Sequence, residues 1–203
     1  MGVVVRGKRR PVRPDSLHVR RGQDTRRRIL DAARARVMAE GFESLHLDDL
    51  ARDVGVTKAA VVKSVGGKAS ILLALGEQDR ESRLEVLQQA TRLRSGLRRR
   101  VADVVARLYA MDVPRLNLVQ AYVGYLWFWT GADHERAQGH IDGTLETLRN
   151  LMRSAAGPDQ SEERIETLAL RMMAGYVIGL RDLHYGRSDI AGATELVVDF
   201  VAD

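Results

Sequence analysis

Lysine, serine and paired glycines stand close together in "VVKSVGGKAS", Val61 to Ser70, a composition able to cradle a phosphate. A P-loop needs Gly, four residues, then Gly-Lys-Ser/Thr: the glycines let backbone N–H groups wrap the anion, and the hydroxyl reaches Mg²⁺. Counting back from Gly67 puts Val62 at the first glycine, and Ala69 stands where the hydroxyl belongs. That chemistry is excluded. The histidines (His18, His46, His134, His140, His184) are the next candidates, as metal ligands. None lies three or four residues from another, so no helix face presents a pair. The paired carboxylates Asp48-Asp49 and Glu162-Glu163 fall where helices begin, and there negative charge complements the macrodipole. No Gly-x-Ser-x-Gly elbow occurs, and the absence of cysteine removes thiol nucleophiles, thiolate metal sites and disulfides. The residues therefore predict no catalytic centre, no metal and no cofactor.

The same stretch reads better as a pair of short helices. Leu47, Leu50, Ala51 and Val54 form one apolar stripe, Gly55 permits the positive φ of a tight turn, and Thr57 caps a second helix that turns Val61 and Val65 inward. Thr57, Lys58, Ala59 and Ala60 give that helix a slim first turn, as entry into a major groove about 12 Å wide requires. Lys63 and Ser64 follow within reach of base edges or phosphate. Lys68 opens the next helix, where N–H groups and ammonium can share a phosphate. With Arg26 and Leu47 these residues make the candidate DNA-binding face.

Charge supports a polyanionic partner. Residues 1–28 hold ten Lys/Arg against two Asp, leaving 22 basic and 25 acidic residues in the remainder. A basic arm on a mildly acidic body is the electrostatic footprint of nucleic-acid binding. Hydrophobic residues make up 45% of the 203 and charged ones 29%, which suits a globular protein. No apolar run approaches the ~20 residues of a membrane span, and the first residues lack the apolar core of a signal peptide, so a cytoplasmic protein with no membrane partner is expected.

The elements that must carry these residues are helical throughout. Apolar spacing predicts helices over 24–40, 47–54, 57–64, 68–93, 96–111, 115–130, 134–155, 161–185 and 189–201, with breaks at Gly41, Gly55, Gly66-Gly67, Pro114, Gly131, Gly157-Pro158 and Gly186. No segment alternates as a strand would. An all-α fold of about nine helices follows: a basic flexible arm over 1–22, a helix–turn–helix domain over 23–68, and a ligand-binding and dimerisation domain over 69–203, joined by the long fourth helix.

"TRRRILDAARARVMAEGFESLHLDDLARDVGVTKAAVVKSVGGKASILLAL" resembles the DNA-binding domain of the tetracycline-repressor family of transcriptional regulators. The matching features are Arg28-Ile29-Leu30-Asp31-Ala32-Ala33, Gly41-Phe42, Leu50-Ala51, Gly55-Val56-Thr57-Lys58, and Lys68 followed by Leu72. They cover about a quarter of the chain. The resemblance implies a DNA-binding regulator, more often a repressor, with a small-molecule site and dimer surface in the remaining helices. The chain departs from the family's pattern at Val62, where an aromatic phosphate contact is usual, at Ser64-Val65, and at Leu45-His46. These departures leave a second reading open: a helical small-molecule-binding protein whose helix–turn–helix no longer reads DNA.

Half of the chain's ten aromatics lie in "LVQAYVGYLWFWTGADH". On a continuous helix Tyr122, Tyr125 and Trp129 share one face while Trp127 falls on another, and Tyr109 closes the preceding helix. Tyr109, Tyr122, Tyr125, Trp127 and Trp129 are thus the expected lining of a site for an apolar or aromatic effector, whose identity no residue specifies. Leu168, Met172 and Tyr176, with Gly175-x-x-x-Gly179, stripe one helix near the end, and Ile190, Val197 and Phe200 lie on a final helix apolar almost all round. A helix apolar on both sides is buried on both sides, so these six residues are the expected homodimer interface.

Overall fold

A computed structural model describes residues 17–157 and 159–202, and among them nine α-helices and one 3-10 turn follow in order with no strand. The helices are α1 (Leu17–Glu40), α2 (Leu47–Val54), α3 (Lys58–Val65), α4 (Lys68–Thr91), α5 (Leu97–Asp112), α6 (Leu116–Tyr125), α7 (Gly131–Ala156), α8 (Glu162–His184) and α9 (Ile190–Ala202), with the 3-10 turn Val113–Arg115 between α5 and α6. The fold is all-α, as the periodicity requires.

Two boundaries differ from the sequence pattern. α1 is already helical at Leu17, the first described residue, where the sequence pattern starts it at Asp24. Beyond Pro14 only Gly22 opposes a helix, and the arginines around it are good helix formers. The start of the expected arm, residues 1–16, lies outside the described residues. α6 stops at Tyr125, and Leu126–Phe128 form turns instead of its last helical turn.

The apolar side chains gather into two clusters. The first is built by α1, α2, α3 and the opening of α4 around Ile29, Ala33, Leu50, Val61 and Leu72, all fully buried, and Leu118 and Trp129 insert into it. The second joins the far half of α4 to α5, α7, α8 and α9 around Val104, Tyr109, Leu151, Ile165 and Val197. Each fully buried Val, Leu or Ile among them contributes about 1.5–3 kcal/mol by leaving water.

This second cluster takes up most of the residues expected at the dimer surface. Leu168, Met172, Tyr176 and Val197 are buried inside their own chain, because α9 lies between α5 and α8. Ile190 is half-buried, and of the six only Phe200 stands exposed. Gly175 and Gly179 serve the same internal packing. A Cβ at Gly175 would meet the Val197 Cα at 3.4 Å, and one at Gly179 would meet the Tyr109 hydroxyl at 2.1 Å. The chain by itself covers Ala193, Val197, Val198 and Val201 of α9 and leaves Phe200 exposed.

Candidate nucleic-acid interface and ligand cavity

Gly55 ends α2 in the left-handed region (φ 72°, ψ 40°), and its N–H and that of Val56 close the helix on Ala51 and Arg52. Any L-residue there would be strained, so the turn depends on glycine. Thr57 then caps α3 as expected, its hydroxyl oxygen accepting from the Ala60 N–H at 3.2 Å. Thr57, Lys58 and Ala59 are exposed and Ala60 half-buried, so the first turn of α3 is slim and open. The Lys58 ammonium reaches back across the turn to Asp48 at 2.8 Å, and both side chains remain more than half exposed. Lys63 is exposed further along.

Four other residues assigned to this face do different work. Arg26 donates to the Ser64 carbonyl at 2.7 Å, so it clamps the last turn of α3 from α1. Ser64 is half-buried beneath that contact. Leu47 is half-buried and packs on the first cluster. Lys68 donates to the Glu43 carbonyl at 3.0 Å and sits 4.6 Å above the Phe42 ring, fastening α4 to the loop before α2. Val62 is 46% exposed, the largest aliphatic side chain α3 shows to water.

A cavity of about 210 Å³ opens between α4, α5, α6, α7 and α8, walled mainly by apolar side chains such as Leu87, Leu108, Leu148 and Met172. Its polar lining is concentrated in Asp79, Arg80, Arg83, Tyr122, His140 and Tyr176. The Tyr122 hydroxyl lies 3.3 Å from His140 Nδ1, and His140 Nε2 lies 3.5 Å from Glu77. Burial raises the Tyr122 pKa, with Glu77 adding to it. Burial lowers that of His140. The Tyr122 ring lies so close over α4 that a Cβ on Gly76 would stand 2.1 Å from it.

Arg83, Asp79 and Tyr176 continue from the cavity wall into a chain of charged contacts. Asp112, wholly buried, accepts from Arg83 at 2.5 Å, from the Tyr176 hydroxyl at 2.7 Å and from Arg115 at 3.1 Å. Arg115 also meets Asp79 at 2.9 Å, and Asp79 meets Arg34 of α1 at 3.0 Å. The cavity is thereby wired to the helix that backs α2 and α3.

No protein-family model matches the chain. It is 31% identical over 135 residues to the HTH-type transcriptional regulator SrpR of Pseudomonas putida, covering 66% of this chain and 62% of that protein. It is 42% identical over 53 residues to the uncharacterized HTH-type transcriptional regulator TtgW, also of Pseudomonas putida, covering 26% of this chain and 40% of that one. The chain thus spans less than two thirds of the length of either curated relative. The crystal structure of a TetR transcriptional regulator from Legionella pneumophila superimposes with a TM-score of 0.64 at 16% identity, over 86% of this chain and 94% of that one. The fold is that of the TetR family.

Within this TetR fold the expected aromatic lining is only partly assembled. Tyr122 lines the cavity. Tyr109 is fully buried, stacked on Tyr176 with ring centroids 4.5 Å apart, and its hydroxyl donates to the Tyr176 carbonyl. Tyr125 packs edge-on against Phe42, and Trp129 is buried with its Nε1–H on the Ala69 carbonyl at 3.2 Å. Trp127 is 89% exposed. The early end of α6 accounts for Trp127, which leaves the helical phase and points outward, whereas Trp129 still packs against Tyr122 and Tyr125 with ring centroids 5.0 and 5.7 Å apart. Sequence reasoning also missed Arg80 and Arg83. Their signal was available, as two arginines interrupting the apolar stripe of α4 between Leu75 and Leu87.

Among the described residues no group of His, Asp and Glu converges as a metal site, and no single helix is long and apolar enough to cross a membrane.

Proposed function

We propose that this chain is a DNA-binding transcriptional regulator of the TetR type, a repressor released from its operator by a small molecule held in the cavity. It works as a cytoplasmic homodimer, with residues 23–68 as the DNA-binding unit and 69–203 as the ligand-binding and dimerisation unit. The observation that carries this reading is the α2–Gly55–α3 unit, whose open, slim first turn bears Thr57, Lys58, Ala59 and Ala60. Lys58 and Lys63 are the side chains that would meet base edges or phosphate. The basic residues before α1 add sequence-independent attraction to the duplex. The curated relatives, themselves transcriptional regulators, support the assignment.

An apolar or aromatic effector suits the cavity's walls. It acts by favouring a conformation that does not bind DNA, since a ligand shifts an equilibrium only by its differential affinity for the two states. Selection of bound duplexes from a random pool, followed by a salt titration with the enriched sequence, tests the reading. A recovered motif that binds at least about a thousandfold more tightly than mixed DNA sustains it. Weak binding with no enriched motif would instead favour a small-molecule-binding protein with a degenerate helix–turn–helix, a second reading that exposed Val62 motivates.

A further inference from the structure

Arg80 is the one cavity arginine without a counter-ion. Among the described residues its guanidinium forms no hydrogen bond and no ion pair, and its Nε is buried with no acceptor. Arg83, one helical turn on, has Asp112. A buried donor left unsatisfied is costly, and such a group is stabilised when an acceptor arrives. The group is also closely seated. A Cβ on Gly143 of α7 would stand 2.5 Å from its Nη2, so a glycine there leaves the guanidinium its place against that helix. Arg80 is near enough to both Tyr122 and His140 for its charge to lower their pKa values. Three polar groups thus gather on a chamber otherwise walled mainly by apolar side chains, whose further charged groups Asp79 and Arg83 are already paired.

We infer that the cavity takes an amphipathic organic acid, its carboxylate on Arg80 with Tyr122 and His140 beside it, and its aliphatic body along Leu87, Leu108, Leu148 and Met172. This rests on the cavity being the effector site, and it replaces a purely apolar effector with one carrying an anionic head. The opening outside Arg80 is acidic, lined by Glu77, Glu81 and Glu85. Glu77 is already held by Arg136 at 2.6 Å, while Glu81 and Glu85 are exposed, where water screens them. The Arg80 guanidinium carries the one positive charge of the cavity wall that no ion pair neutralises, and it sets the sign of the ligand's head. A carboxylate presents paired oxygens to the planar guanidinium, a geometry that an alcohol cannot reproduce.

Calorimetric titration of the full chain with octanoate, octan-1-ol and octylammonium separates head-group charge from chain length. Octanoate is expected to bind at least about tenfold more tightly than octan-1-ol. Arg80→Gln should abolish that preference by weakening octanoate selectively, and Arg80→Lys should retain part of it. Equal affinities for octanoate and octan-1-ol, or octylammonium binding tightest, would overturn the anionic head and leave the cavity reading standing. Failure of all three to bind would overturn both. A DNA selection that returns no motif would sink the regulator reading alone, since this titration uses no DNA.

Discussion

Arg34 of α1 grips Asp79 of α4 at 3.0 Å, and Asp79 belongs to the cavity wall. The other oxygen of Asp79 takes Arg115 at 2.9 Å, so the carboxylate joins the helix behind the reading unit to the turn between α5 and α6. Allosteric control requires an element whose two arrangements both sites bias, and this carboxylate is placed to be one. Asp79→Asn keeps the shape and removes the charge. It should leave operator affinity in the absence of ligand within a few-fold of wild type, and it should reduce the ligand-induced loss of DNA binding by about 1 kcal/mol or more. Mobility-shift titrations with and without ligand measure this, and an unchanged ligand effect would remove Asp79 from the route.

Asp112 presents a sharper energetic case. Wholly buried, it neutralises Arg83 and Arg115 and accepts the Tyr176 hydroxyl. Taking away its charge leaves the Arg83 guanidinium without its ion-pair partner and Arg115 with Asp79 alone. Asp112→Asn should therefore lower unfolding stability by about 3–5 kcal/mol, read from urea denaturation.

For assembly, the internal burial of most of α9 leaves the exposed apolar residues of α8 and α9 as the surface a proposed dimer would use. Leu170, Val177 and Phe200 are each roughly 40% exposed, and Ala174 is exposed between them on α8. Val177→Asp should yield a folded monomer by sedimentation, with an unchanged circular dichroism spectrum. Val197→Asp buries an unpaired charge in the chain's own core and should unfold it. If Val177→Asp still sediments as a dimer, the interface lies elsewhere.

His140 ties stability to pH. Burial holds its pKa below the ordinary 6.5, opposed by Glu77 and reinforced by Arg80 and Arg136. As pH falls, the unfolded chain binds the proton before the folded one. The stability contributed by neutral His140 is therefore complete above pH 6.5 and is lost below it, as pH descends through the lower folded value. Melting temperature should drop on acidification through that window, and His140→Gln should flatten the slope.

The helical plan was legible because its signals are local: apolar spacing, Gly55 with Thr57 at the turn, and the glycine and proline breaks. α2 and α3 came out within a residue of the expected bounds for the same reason. The apolar stripes of α8 and α9 were equally visible, but a stripe says that a face is buried and never by what. α5 covers Val197 where a partner chain was expected. Trp127 was misplaced because the chain leaves the helix after Tyr125, while Trp129 keeps its contact with Tyr122 and Tyr125. The contacts of Asp79 and Asp112 leave no local pattern at all. Arg34 and Asp79 are 45 positions apart, and only the packing of α1 on α4 makes them neighbours.

α4 lends Ile71, Leu72 and Leu75 to one apolar cluster and Val86, Leu87 and Ala90 to the other. Neither cluster can come apart while its share of that helix stays ordered, so the two halves are not free to melt separately. Heat should unfold the chain in one cooperative step, with calorimetric and van't Hoff enthalpies in agreement. In native-state hydrogen exchange, the central amides of α4 should open only with the whole molecule, after those of α2 and α3 have begun to exchange through local fluctuations. Local fluctuations of α2 and α3 then need not disturb the body that carries them.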